Sequence, residues 1–169
     1  MKQKTVSPAG SRTAPWLVLA AAAGLLDQAA KDTVERMGDD QFPQEPECLK
    51  GRVKLHKNHN DGLPFGVFRQ YPELVRQVPL AAFWAAFGVF AWLAPKRGHL
   101  AEKAGLALVL GGGGSNLYDR LVRGYVVDYF SIQKGRLKKV VLNLGDCCVL
   151  AGVLILLASQ IAGAIRENR

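Results

Sequence analysis

The chain has 169 residues, 49% of them hydrophobic, and a formal net charge of +8. That length suits a single domain, and the apolar share with a mean hydropathy of +0.06 restricts the choice to a greasy globule or a small membrane protein with polar loops. The positive excess comes with no basic helix and no aromatic-interleaved sheet pattern, so nucleic acid is not an expected partner and a membrane surface is.

The apolar residues gather in four blocks, and a bilayer-crossing helix needs about 20 such residues. The first, "APWLVLAAAAGLLDQAA", gives an expected span over about 14–31 that ends on Asp27 and Lys31. Lys2, Lys4 and Arg12 precede it, as they would precede a cleavable signal peptide. Asp27, however, stands where a cleavage site prefers small neutral residues, and a retained helix is the better reading. A polar, turn-rich stretch follows over 32–76. Pro43, Pro46, Gly38 and Gly51 make "MGDDQFPQEPECLKG" an irregular loop, and the alternation in "GRVKLHKN" suggests a short half-buried strand. "NDGLPFG" (60–66) is a turn signal through Gly62 and Pro64, and "RQYPELVRQVPL" reads as a short interfacial helix.

The second block spans about 77–94, and the third about 99–121, interrupted early by Glu102 and Lys103. A second outer segment covers 122–139, and the fourth block runs over about 140–165. Lys2, Lys4 and Arg12, then Lys96, Arg97 and Lys103, then Arg166 and Arg169 mark three segments as cytoplasmic, so both termini are expected inside. The outer "KGRLKK" (134–139) runs against that rule. It is either an interfacial patch drawn to anionic headgroups or a sign of the opposite topology.

Cys48 stands alone and Cys147 and Cys148 are adjacent, so no disulfide framework or metal-binding spacing is present, and the latter two are expected to pack as small apolar groups. His56, His59 and His99 are scattered and read as solvated or loop residues. Polar groups at membrane depth are more informative. Asn116 and Arg120 share a helix face about 24 Å along the third span, with Asp119 beside them, and an interfacial Asp–Arg helix end accounts for them equally well. Glycines 111 to 114 fit either close helix packing or room for a bound chain. Asp128 sits among Val126, Val127, Tyr129, Phe130 and Ile132, and Asp146 stands near the start of the fourth span. An intramembrane carboxyl is a functional-site candidate, and two that meet would share a proton, the arrangement by which an aspartic protease activates water. The plainer alternative is that each Asp caps its own helix.

The ordered set "LDQAAK", "NDGLPFG", "SNLYDR", "GYVVDYF" and "NLGD" resembles the lipoprotein signal peptidase family, also called signal peptidase II. That family's patterns are D-Q-x-x-K, N-x-G-(A)-(A)-F-G, G-N-x-x-D-R, G-x-V-V-D-F and F-N-x-A-D. The resemblance implies an all-α membrane protein with four transmembrane helices and a small extracytoplasmic β/loop cradle, forming one integral domain in the bacterial cytoplasmic membrane. It implies cleavage on the N-terminal side of a diacylglyceryl-modified cysteine in a prolipoprotein, without metal, cofactor or covalent intermediate, by a monomer embedded in membrane lipid with its site toward the extracytoplasmic side. Asp128 and Asp146 are its implied catalytic pair. Asp27, Lys31, Asn60, Gly62, Asn116, Asp119, Arg120 and Asn143 fall on its other motif positions, as support or substrate-binding groups. Leu63, Pro64, Ser115, Leu142 and Gly145 depart from the pattern, and "RLKKVV" stands before the last motif. A non-catalytic lipoprotein-binding homologue and a small proton-linked transporter are the competing classes.

Overall fold

The computed structural model describes residues 13–62 and 70–168. The turn expected over 60–66 therefore lies partly outside the described residues, with Leu63 and Pro64, as do Lys2, Lys4, Arg12 and Arg169. Four long helices and a two-stranded sheet follow one another as α1 (Ala14–Arg36), β1 (Val53–Asn60), α2 (Pro72–Leu93), α3 (Leu100–Val122), β2 (Val126–Ile132) and α4 (Leu144–Glu167), with short 3₁₀ turns in the connections.

Several boundaries differ from the expected ones for identifiable reasons. Helix α1 continues five residues beyond 31, because Asp27, Lys31 and Val34 lie on one face and are all buried against the bundle. The separate interfacial helix expected before the second span is instead the opening of α2, which is continuous through Pro79. Proline removes one backbone bond there, and the apolar pattern carries the helix past it. Helix α4 starts at Leu144 rather than 140, since Asn143 caps it: the Asn143 side chain accepts from the Asp146 backbone N–H while the Asp146 side chain accepts from the Asn143 backbone N–H.

Helix α3 is the central element and packs against α1, α2 and α4. Its glycines explain how. A Cβ on Gly111 would strike the Ala20 carbonyl oxygen and lie 2.8 Å from the Ala23 Cβ, and one on Gly112 would strike the Gly145 carbonyl oxygen. Of the two readings of the glycine run, close packing therefore holds for these two positions. An apolar cluster of Phe90, Leu93, Ala94, Leu106 and Leu110 joins α2 to α3.

Burial is inverted relative to a water-soluble bundle. Leu25, Leu26, Trp84, Trp92, Leu150 and Ile161 are each about 60–70% exposed, whereas Asp27, Lys31 and Asp119 are fully buried. Among the described residues, α2 and α4 are long and apolar enough to cross a membrane, and α1 and α3 have the length but carry buried charges. Lys103, counted with Lys96 and Arg97 among the cytoplasmic charges, is also buried and donates to the Lys96 carbonyl.

Strands β1 and β2 pair antiparallel, with an irregularity between Leu55 and Asn58 that sets Asn58 opposite Asp128. Leu142 bridges to Phe130 on the other edge of β2 through backbone bonds alone, so the missing aromatic at this position leaves the contact intact. His56 and His59 lie on β1, not in a loop. The His56 ring nitrogen is 2.7 Å from Ser131 Oγ, and His59 stands 2.7 Å from Glu35 Oε1 with its ring stacked on Tyr125, because strand pairing and the extra turn of α1 bring those partners up.

Candidate active site

The sheet lies at one end of the helix bundle, and Asp128, midway along β2, is 3% exposed. Asn60 Nδ2 donates to its Oδ2 at 3.0 Å and Asn143 Nδ2 to its Oδ1 at 2.8 Å. Asp146, at the third position of α4, accepts from Asn116 Nδ2 at 2.9 Å and from the Asn143 backbone N–H at 3.1 Å. Asn143 thus holds one carboxyl with its side chain and the other with its main chain, so the two acids stand on either side of a single residue. Asp146 does cap its helix, and the Asn143 that shares that cap also holds Asp128, so the capping role leaves a second role open.

The orientation of each amide is fixed by what its oxygen receives. Asn60 Oδ1 accepts from the Gly62 N–H at 3.1 Å, Asn143 Oδ1 from the Asp146 N–H at 2.8 Å, and Asn116 Oδ1 from Lys31 Nζ at 2.6 Å. Each amide must then present its NH₂ to a carboxyl. Every carboxyl oxygen receives one donor and keeps a lone pair for a proton or a water. Burial, followed by the negative charge of Asp146, pushes the Asp128 carboxyl up to about 6, against the lowering effect of Asn60, Asn143 and Lys31.

Behind the pair lies a buried ionic cluster between α1 and α3. Lys31 Nζ is 2.8 Å from Asp27 Oδ2 and 2.9 Å from Asp119 Oδ2, with all three side chains fully buried. Ser115 Oγ donates to Asp27 at 2.5 Å, Gln28 donates to Ser115 and Asp119, and Tyr129 OH donates to Asp27 at 3.2 Å. Asp119 also accepts from Arg123 at 3.0 Å and from the Val127 N–H, which ties α3 to β2. Ser115 is thus a working member of the cluster rather than a neutral departure. Gly145 leaves room for the cluster: a Cβ there would come within 2.8 Å of Asp27 Oδ2 and 2.9 Å of the Gly112 carbonyl.

All ten residues singled out in the sequence fall in this region, but not all in the expected relation. Asp119 does not pair with Arg120, its chain neighbour; its partners are Lys31 and Arg123. Arg120 donates instead to the carbonyls of Asn116 and Gly62, each at 3.2 Å, and its buried Nε finds no hydrogen-bond partner among the described residues. Gln28, Ser115, Arg123 and Tyr129 were not anticipated as partners. Ser115 and Arg123 could have been found, since they stand four residues either side of Asp119 on its helix face.

A profile of the family described as Signal peptidase (SPase) II matches residues 19–162. This chain belongs to that family. It is 30% identical over 154 residues to the lipoprotein signal peptidase of Mesorhizobium japonicum, covering 90% of this chain and 89% of the relative. It is 33% identical over 153 residues to that of a Methylobacterium species, covering 90% and 92%. Two solved structures, each titled as a bacterial membrane enzyme, share the fold with a TM-score of 0.74. They are 16% and 15% identical, and the matches cover 92% and 89% of this chain and 92% and 95% of theirs.

Proposed function

We propose that this member of the signal peptidase II family is an intramembrane aspartic endopeptidase that cleaves a prolipoprotein on the N-terminal side of a diacylglyceryl-modified cysteine, with Asp128 and Asp146 as its reacting pair. The observation that carries the reading is the double grip of Asn143 on both carboxyls. Two acids held by one residue, with the charge of Asp146 raising Asp128, cannot both ionise cheaply, and one shared proton leaves a base and an acid in one site. The ionised carboxylate takes a proton from water as the water oxygen bonds to the scissile carbonyl carbon. The protonated one donates to the carbonyl oxygen. Collapse of the gem-diol breaks the C–N bond as the proton taken from water passes to the leaving amine and one hydroxyl returns its proton to the second carboxylate, which restores the singly protonated pair.

The remaining groups support this chemistry. Asn60, Asn116 and Asn143 hold the carboxyls in place, and Lys31 fixes the amide of Asn116. Arg120 Nε is a donor available to a carbonyl of the substrate backbone or of its ester, which would otherwise have no water to bond. All four helices are read as bilayer spans of one integral domain, since their outward faces are apolar and their charges are turned inward. The site then opens at the extracytoplasmic rim of the bacterial cytoplasmic membrane, and a monomer contains every group named. Asp146 in the first turn of α4 and Asp128 on a strand favour this over a transporter, whose acids belong nearer mid-span.

The test is reconstitution with a diacylglyceryl-modified prolipoprotein peptide. Wild type cleaves it, and Asp128→Asn and Asp146→Asn each lower kcat by about 10³ or more. Unaltered cleavage in either variant removes that residue from the pair, and no cleavage of several lipidated peptides by wild type favours the non-catalytic binder.

A further inference from the structure

The basic turn at Gly135–Lys139 plays no part in the chemistry above, and it lies in the connection between β2, which carries Asp128, and α4, which carries Asp146. Lys134, Arg136, Lys138 and Lys139 are all exposed, and none pairs with a carboxylate among the described residues. Between them Leu137 is 46% exposed, and Ile132 at the end of β2 is 37% exposed. Exposed Arg52 joins the same surface, its carbonyl accepting from the Gln133 N–H at 2.8 Å.

Its depth can be read from α4. The exposed apolar stripe of that helix runs from Leu150 to Ile165. A hydrocarbon core of about 30 Å needs about 20 residues at 1.5 Å each, so counting back from Ile165 places its outer boundary near Asp146. The headgroup layer extends roughly 5–7 Å farther. Only Val140, Val141 and Leu142 separate Lys139 from the Asn143 cap, and Leu142 is tied back to Phe130. This count puts the turn at the height of that layer, with four exposed cations and the exposed apolar side chain of Leu137 among them.

We propose that Lys134, Arg136, Lys138 and Lys139 form a docking surface for anionic phospholipid headgroups of the surrounding outer leaflet, with Leu137 as its apolar anchor. Charge complementarity selects this occupant: phosphate-bearing headgroups are the anions present in that layer, and unpaired cations outside the membrane otherwise run against the preference for placing positive charge inside. Seating the turn also sets the height of both flanking carboxyls above the hydrocarbon. The lipid preference itself does not depend on the catalytic reading.

The test uses the full-length protein in phosphatidylcholine nanodiscs doped with spin-labelled phosphatidylglycerol or spin-labelled phosphatidylcholine, comparing the motionally restricted fractions. Wild type is expected to favour the anionic lipid by about threefold or more, a preference that shrinks at high salt. Replacing the four cations by Gln is expected to remove at least half of it, whereas Arg97→Gln/Arg166→Gln at the opposite end leaves it. Arg136→Gln/Lys138→Gln gives an intermediate loss and serves if the fourfold variant does not keep its helical circular dichroism. An unchanged preference in both turn variants, or its disappearance only in the Arg97/Arg166 variant, overturns the proposal. So does an unchanged preference accompanied by weaker cleavage of substrates with acidic mature segments, which would assign the turn to peptide docking.

Discussion

Lys31 shows how the buried charges serve the acids in front of them. Its ammonium faces two carboxylates, Asp27 and Asp119, and the amide oxygen of Asn116. Removing one partner of a buried ion cluster strands the others, at about 3–5 kcal/mol. Lys31→Met is therefore expected to lower the thermal midpoint in detergent sharply. Lys31→Met/Asp119→Asn should recover part of the loss, because one stranded charge is gone. Equal midpoints for Lys31→Met and wild type would mean the cluster is not holding α1 to α3. The polar positions themselves were legible in the sequence because a charge at membrane depth is costly and rarely idle. Their partners were less so. Asp119 and Arg120 are adjacent in the chain, but neighbours on a helix point about 100° apart, so Asp119 bonds Arg123 four residues on and Lys31 from another helix.

The helices are positioned by contacts that only small residues permit. Gly145 stands where the family pattern has alanine, and the space a methyl group would need is occupied by the Asp27 carboxylate and the Gly112 carbonyl. Gly145→Ala is expected to destabilise by about 1–3 kcal/mol and to slow cleavage, since the strain falls on the Asp27 cluster and on the Asn143 cap beside it. Thermal unfolding together with steady-state kinetics checks both, and an unshifted midpoint would show that the two helices can part without loss. The four long helices and their order were readable from the apolar blocks, whereas the separate interfacial helix expected before the second span proved to be the opening of α2. The start of α4 was not, because Val140 and Val141 look like span residues until the Asn143 cap is seen. The register of β1 against β2 was also invisible, since it depends on an irregularity between Leu55 and Asn58 that no periodicity signals.

At the scale of the whole molecule, the proposed topology, with the bundle across a bilayer and the sheet outside, rests on the inverted burial pattern and the charge distribution. Cys48 is an exposed free thiol on the connection between α1 and β1, whereas Cys147 and Cys148 are partly buried in α4. In right-side-out vesicles a membrane-impermeant maleimide is expected to label Cys48, and Cys48→Ser should abolish the signal. Labelling of Cys48 only after the vesicles are opened would invert the topology.

The proposed hydrolysis depends on Asp128 and Asp146 sensing one another. The most direct measurement is an infrared titration of the protonated carboxyl band in isotope-labelled aspartate, in wild type and in Asp146→Asn. Burial and the neighbouring charge both raise Asp128, so it keeps its proton above the ordinary carboxyl range and releases it as pH rises through about 6. Replacing Asp146 removes the neighbouring negative charge. The expected result is an Asp128 midpoint that falls in Asp146→Asn while staying above its ordinary 3.8, because burial remains. A midpoint that is the same in both proteins would mean that the two carboxyls are independent, and a shared-proton site would be contradicted.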